Sequence, residues 1–367
     1  MTNIHDYLLW RGDIQLSKNF PLNEVDGLVL ARISYLPFDK IDIKEKGLTG
    51  DLLKKVASLK EEEFLYNGDK ELAIYVAKSL RFNNLLLTDY VKIDDKQNEK
   101  QFGAVTIHLS NNQMFISYLG TNKTINGWKE DFNMTFMENV PCQICGLNYL
   151  EKISKKYPNK KIIIGGHSKG GNIAIYSALL SSKTTKNKIT KVFNFDGPGL
   201  NNSILSKYKD ERIIKKMETY IPQESIIGRL LNHKEKITIC ESNEKGILQH
   251  DIYSWHVFKD ELVKLEKNTR ISEYLNSTVT DWLKNTTKEQ RKIFIDTVFE
   301  LFNGAEVDSF GEIASSLTKT IPKILKKYST LSEEEKKTMT GMIKKFIKLY
   351  FKVIRNKKKY QKNNKIK

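Results

Sequence analysis

One stretch, Lys161-Ile-Ile-Ile-Gly-Gly-His-Ser-Lys-Gly-Gly-Asn-Ile-Ala-Ile-Tyr176, restricts this chain more than any other. Three isoleucines, Ile162 to Ile164, stop at Gly165 and Gly166. Ser168 follows, then Gly170 and Gly171, then apolar residues at helical period: Ile173, Ala174, Ala178 and Leu179. The pattern is strand, tight turn, helix. Gly166 to Gly170 fits G-x-S-x-G, a turn that lifts a serine above the sheet edge while its glycines let strand and helix approach closely. The following helix points its free N–H groups and positive dipole end at the serine, where an oxyanion would develop. A glycine-rich turn in another α/β protein could share the letters. The strand before and the helix after are the context the motif requires.

The flanking sequence predicts the rest of an α/β layer structure. A helix is expected from Asn23, its N-cap, with Glu24 and Asp26 in its first turn, to a stop at Pro37. Two more helices are expected near 50–62 and 70–81, the second with Leu72, Ala73, Val76, Ala77 and Leu80 on one face. Strand signals begin at Gln101–Ser110, turn at Asn111-Asn112 and resume at Gln113–Leu119, which reads as a hairpin. A loop, a helix near 138–156, the elbow unit and a strand at 191–195 follow, with two further strands at 217–221 and 237–240. This alternation predicts a mostly parallel sheet with helices on both faces. From about 258 the strand signals cease. Helical periods run through 271–283, 288–302, 312–328 and 332–358, the last opened by a Ser332–Glu335 capping box. The expected division is therefore residues 1–265, an α/β domain with a helical prelude, and 266–367, an all-helical extension.

A serine hydroxyl needs a base, and the base needs a carboxylate to fix its tautomer. In the elbow architecture these follow in the order serine, acid, histidine. Asp196 stands at the end of strand 191–195, before Gly197-Pro198-Gly199, over the same sheet edge as Ser168. An aspartate that merely caps the next turn is the alternative. Of six histidines, His167 adjoins the nucleophile and should face away from it, His108 lies in the hairpin, His5 in the N-terminal segment, and His233 in what reads as a solvated loop. His250 follows the last strand and its loop, and is preferred as the base to His256, whose neighbours Trp255, Val257 and Phe258 suggest packing. The oxyanion would be held by two backbone N–H groups, that of Lys169 after the nucleophile and one from the loop that starts at Gly120-Thr121.

Composition sets the outer limits. With 40% hydrophobic and 10% aromatic residues among 367, the chain is of the globular class, long enough for a large α/β domain plus an extension. No apolar run reaches the roughly 20 residues of a membrane span, and the N-terminus lacks a signal-peptide pattern, so a cytoplasmic protein is expected. Three cysteines, Cys142, Cys145 and Cys240, cannot build a disulfide framework. Cys142 and Cys145 form a C-x-x-C without a second pair and open a helical pattern, so packing is expected rather than metal. Neither metal nor cofactor is implied. The formal charge of +17 is concentrated at the C-terminal end, where residues 341–367 carry eleven Lys and Arg and no acid. Met339, Met342, Ile343, Phe346, Ile347, Tyr350, Val353 and Ile354 recur among those lysines, a pattern that suits an anionic membrane surface or an ordinary packed amphipathic helix.

Ser117-Tyr-Leu-Gly120-Thr121, with Trp128 and Asp131 following, resembles the R-G-[ST]…W…D segment of class 3 lipases, with Leu119 where that family has arginine. The resemblance implies an α/β-hydrolase fold, with Thr121 contributing to the oxyanion hole. From Asp6-Tyr-Leu-Leu-Trp-Arg-Gly-Asp13 through His250-Asp-Ile-Tyr-Ser-Trp255 the chain is similar to a bacterial lipase-like family of unknown function, the Mbeg-like family, over roughly residues 1–265. The resemblance divides on the acid. Asn194-Phe-Asp196-Gly-Pro-Gly resembles the Asp-Pro strand end of pancreatic-type lipases and implies Asp196. Class 3 lipases place their aspartate one strand later, where this chain has Glu224 and Ser225, so Glu224 is the alternative acid.

The expected activity is hydrolysis of carboxylic esters, with lipid or phospholipid acyl esters as the expected substrates, through Ser168, His250 and Asp196. The expected partners are that acyl ester and, through the basic helix, the inner face of an anionic membrane. A catalytically silent binding module on the same fold is the alternative. So is a nucleic-acid-associated protein, disfavoured because no nucleic-acid motif is present.

Overall fold

The computed structural model describes residues 2–42, 46–95, 97–109, 112–122, 125–266, 270–304, 326 and 328–364. They form two units: residues 1–121 with 141–268, and residues 122–140 with 269–367. The expected boundary near 265 falls close to the second crossing, but the segment 122–140, between a strand and a helix of the first unit in sequence, groups with the C-terminal helices.

The first unit is built on a nine-stranded sheet. In chain order its strands are β1 (Lys46–Leu48), β2 (Leu86–Asp95), β3 (Lys100–His108), β4 (Gln113–Tyr118), β5 (Lys161–His167), β6 (Ile189–Phe195), β7 (Met217–Pro222), β8 (Lys236–Cys240) and, after the small β9–β10 hairpin (Val257–Phe258 and Glu261–Leu262), β11 (Lys264–Leu265). They lie side by side in that order, with β11 next to β8. Strands β4 to β8 are parallel, and the flanking pairs are antiparallel. This is the α/β-hydrolase fold, a mostly parallel sheet covered on both faces. The strands β1 and β2 precede the expected start of the sheet, β11 extends it past 258, and β9 and β10 form a separate two-stranded hairpin. All five are short or half-exposed, so they lack the apolar run that marks a doubly buried strand.

Three isoleucines in a row suit β5 because both of its faces are buried. Ile163 shares its face with Phe115, to which it is registered, and with Phe193 and Phe195 in the core beneath the N-terminal helices. On that side α2 (Glu24–Ile33) packs so tightly that a Cβ on Gly27 would lie 2.9 Å from the Phe193 ring. Ile164 registers with Ile116 on the opposite face, where Tyr118 donates to Gly146 O of α6 (Pro141–Lys156) at 2.8 Å, and α6 packs on α7 (Lys169–Leu180).

The prelude holds α1 (Ile4–Arg11), α2, α3 (Thr49–Ala57) and α4 (Asp69–Lys78). Asn23 caps α2 in a capping box with Asp26, and the helix ends four residues before Pro37. Three short helices, α8 (Lys183–Lys188), α9 (Asn202–Lys207) and α10 (Glu211–Ile214), connect later strands.

The second unit contains α5 (Ile125–Asn133), α11 (Arg270–Lys284), α12 (Lys288–Gly304) and α13 (Glu333–Asn364), the last opened by the expected Ser332–Glu335 box. The expected helix 312–328 lies largely outside the described residues. Inside this unit Arg291 donates to Thr135 O at 2.8 Å and to Leu283 O at 2.8 Å, Lys129 pairs with Asp296 at 3.2 Å, and Phe132 and Phe299 meet at 5.9 Å.

Candidate active site

Ser168 is the single residue between β5 and α7, with φ 59° and ψ −130°. That backbone region costs a non-glycine residue of order 1–3 kcal/mol and persists only where the surroundings impose it. Here they do. The Ser168 N–H donates to Phe195 O at 2.9 Å, and its carbonyl accepts from Gly171 N at 2.9 Å. A Cβ on Gly166 would sit 2.3 Å from the Gly170 carbonyl carbon, and one on Gly170 would sit 2.2 Å from Tyr118 O. Both glycines are therefore required by close approach, one between strand and helix and one against β4.

Asp196 follows β6 with φ 51°, its N–H donating to Tyr220 O at 2.8 Å. The next turn is braced by Asn194, which exchanges side-chain bonds with Gly197, and by Asn172, which donates to Pro198 O and Gly199 O at 3.1 and 2.7 Å. The Asp196 carboxylate is 1% exposed. It accepts from His250 Nδ1 at 2.6 Å, from Gly228 N at 3.1 Å and from the Ser225 hydroxyl. With Nδ1–H committed to the carboxylate, a neutral His250 keeps its lone pair on Nε2. Neither Nε2 nor Ser168 Oγ makes a hydrogen bond among the described residues.

His250 ends a 3-10 turn, Gly246–His250, that is tied down on several sides. Glu224 accepts from Gly246 N at 2.6 Å, Gln249 accepts from Glu224 N at 2.8 Å and donates to Glu244 O at 2.7 Å, and the fully buried Trp255 donates to Gln249 O at 2.8 Å. Glu224, the alternative acid, is thus a staple of this turn, and its carboxylate makes no bond to His250 among the described residues. Ser225 supports the Asp196 carboxylate from the neighbouring position.

The other histidines have separate partners. His167 is buried and stacks on His250, ring centroids 4.5 Å apart, and its Nε2 donates to His250 O at 2.9 Å. Burial, with the His250 and Arg32 charges adding to it, holds the His167 pKa well below the usual imidazole value. His233 is not the solvated loop residue its polar neighbours suggest. Its side chain is 6% exposed and its Nδ1 lies 2.7 Å from Glu235, because Glu235 in turn accepts from Thr219 on β7 and draws the loop inward. His256 pairs with Glu241 at 3.0 Å, His108 with Thr88 at 3.0 Å, and His5 with Gly68 O at 3.1 Å.

Of the proposed oxyanion donors, Lys169 is the first residue of α7, and Thr121 is buried just past β4. The chain at Gly120 passes so near the elbow that a Cβ there would lie 2.5 Å from His167 O. The segment that starts at Gly120-Thr121, expected as a loop, forms α5 from Ile125 onward. Cys142 is buried and Cys145 half-buried in the first turns of α6, and among the described residues no cluster of His, Cys, Asp or Glu is arranged to hold a metal.

A model of the Mbeg1-like family matches residues 76–300, more than half of the chain. The chain belongs to the Mbeg1-like family. No curated protein matches this Mbeg1-like chain in sequence. Among solved structures it is similar to a lipase from Rhizopus microsporus var. chinensis, at 12% identity and TM-score 0.37 over 64% of this chain and 84% of that one. It is also similar to the Lip2 lipase of Yarrowia lipolytica, at 12% identity and TM-score 0.36 over 62% and 80%. A third is the Rhizomucor miehei lipase in its propeptide complex, at 11% identity and TM-score 0.38 over 71% and 94%. The Mbeg1-like family match alone carries the assignment.

Three supporting contacts are not legible in the sequence: those of Ser225 and Gly228 with the Asp196 carboxylate, and the Tyr35–His167 contact, where the Tyr35 hydroxyl meets Nδ1 at 3.2 Å. Each joins residues far apart in the chain, and no local pattern announces it.

Proposed function

We propose that this Mbeg1-like protein is a serine hydrolase of carboxylic esters. The observation that carries the reading is the 2.6 Å pairing of His250 Nδ1 with the buried Asp196, over the sheet edge where Ser168 stands on a strained elbow. Ser168 Oγ would attack the ester carbonyl as His250 Nε2 takes its proton, a contact the reaction must form, and such contacts often tighten only when substrate is bound. The tetrahedral oxyanion would lie at the α7 N-terminus, facing the Lys169 and Thr121 N–H groups. Collapse expels the alcohol, which takes the proton from His250 and leaves an acyl-Ser168. Water, deprotonated by His250, then releases the acid and restores the serine. Asp196 holds the imidazole tautomer throughout and stabilises the imidazolium.

Lipid or phospholipid acyl esters are the substrates we favour, because α13 carries Lys344, Lys345 and Lys348 beside exposed Ile343 and Ile347, a surface suited to anionic lipid. No helix among the described residues is long and apolar enough to cross a membrane. With three free cysteines, we place the protein in the cytoplasm, peripheral to the inner membrane face. The test is hydrolysis of an ester series from short to long acyl chains by wild type and Ser168→Ala, with and without anionic vesicles. Activity abolished in the variant, and raised by vesicles for long chains, is the expected result. Equal inactivity of both, with no labelling by a fluorophosphonate, would leave the binding-module reading instead.

A further inference from the structure

Two buried arginine–aspartate pairs of the same design lie in the N-terminal region, three of the four residues on α2 and α4 and Arg81 in the turn after α4. In one, Arg81 Nε donates to Asp26 Oδ1 at 2.7 Å, and the same oxygen accepts from the Tyr7 hydroxyl at 2.6 Å. In the other, Arg32 donates twice to Asp69, at 2.6 and 3.1 Å, and Asp69 Oδ1 accepts from the Tyr253 hydroxyl at 2.7 Å. All four charged side chains are at most 1% exposed. Burying such pairs costs desolvation that their attraction roughly cancels, so net stability is a poor account of either.

They differ in where they lead. Tyr7 belongs to α1, and the remaining Arg81 bonds go to Ile14 O and Pro21 O, so the first pair closes on the prelude itself. Tyr253 stands three residues after His250. On its other side the Arg32 guanidinium lies over the Tyr35 ring, 4.2 Å from its centroid. The Tyr35 hydroxyl donates to His167 O at 3.1 Å and meets Nδ1 of the same residue, and His167 Nε2 donates to His250 O.

We propose that the buried Arg32–Asp69 pair is a positioning element for His250, acting through Tyr253 on the chain that follows it and through Tyr35 and His167 on its own carbonyl. Asp196 fixes only one ring nitrogen. An imidazole hinged there could keep that bond and still swing Nε2 away from Ser168, unless its backbone is fixed as well. The two arms fix it, and reactive groups held even an ångström out of place lose large factors in rate. This gives Arg32 of α2 and Asp69 of α4, but not the Tyr7–Asp26–Arg81 cluster, a positioning role in catalysis, and it rests on the serine-hydrolase reading.

The test compares Tyr253→Phe with Tyr7→Phe in the full chain, since each removes one hydroxyl from one pair and keeps its ring. On a soluble ester, Tyr253→Phe should lower kcat about tenfold or more at unchanged KM, whereas Tyr7→Phe should lower Tm and leave kcat within about twofold. Tyr35→Phe, which interrupts the other arm, should resemble Tyr253→Phe and serves if that variant folds poorly. The His250 ring chemical shift, read by NMR at a fixed pH, should move in Tyr253→Phe and stay in Tyr7→Phe. The proposal is overturned if both variants lose the same Tm and neither kcat nor the His250 signal separates them. A wild type that neither hydrolyses esters nor reacts with fluorophosphonate refutes the hydrolase reading, and the His250 signal then decides the positioning claim alone.

Discussion

Replacing Gly228 by alanine tests the acid's placement with a single methyl group. The new Cβ would lie 2.3 Å from Asp196 Oδ1, 2.6 Å from Ile221 Cγ2 and 3.1 Å from Ser225 Oγ. Ordinary contact begins at 3.4 Å, so relief of the first clash demands a shift of about 1.1 Å. Gly228 has no positive φ, so the cost is steric. The turn Ile227–Arg229 cannot retreat without giving up the Gly228 N–H bond to the carboxylate, and Asp196 is pinned by its own backbone. If the carboxylate moves by that amount, the 2.6 Å His250 contact lengthens past hydrogen-bonding range. Overpacking should cost about 1–3 kcal/mol of stability, and loss of the imidazole's partner should lower kcat by roughly a hundredfold or more. The assay is kcat on a soluble chromogenic ester alongside the denaturation midpoint. A folded Gly228→Ala protein with wild-type kcat would refute the argument that this carboxylate position matters.

Two further outcomes concern stability. His167 is neutral in the fold because burial lowers its pKa, so its contribution is complete above the usual imidazole pKa of about 6.5 and is lost below it, where only the unfolded chain takes up the proton. Stability should fall by about 1.4 kcal/mol per pH unit from this residue, and His167→Gln should flatten the slope by that amount in urea titrations between neutral and mildly acid pH. Asn23→Ala removes the α2 cap, whose Oδ1 accepts from Asp26 N at 2.8 Å, and a bond to the Tyr7 hydroxyl at 2.9 Å. Urea denaturation should show a loss of about 1–2 kcal/mol.

Local features are legible in the linear chain. The elbow at Gly166–Gly170, the capping boxes at Asn23 and Ser332, and the run Ile162–Ile164 are readable because turn chemistry and hydrophobic period act within a few residues. The same logic located Asp196 at a strand end and His250 after the last long strand. Contacts between distant residues were decided only in three dimensions. Which carboxylate faces His250 depends on β6 lying next to β7 in parallel register, which brings Ser225 and Gly228 onto Asp196 and turns Glu224 toward Gly246. The burial of His233 depends on Glu235 reaching Thr219, although every neighbour of that histidine in sequence is polar. The edge strands β1 and β11, and β2 beside β1, form because partners supply their hydrogen bonds, and their own side chains are too exposed to declare them. Burial and pairing are properties of the folded neighbourhood, and a linear pattern records them only when the neighbours are also near in the chain.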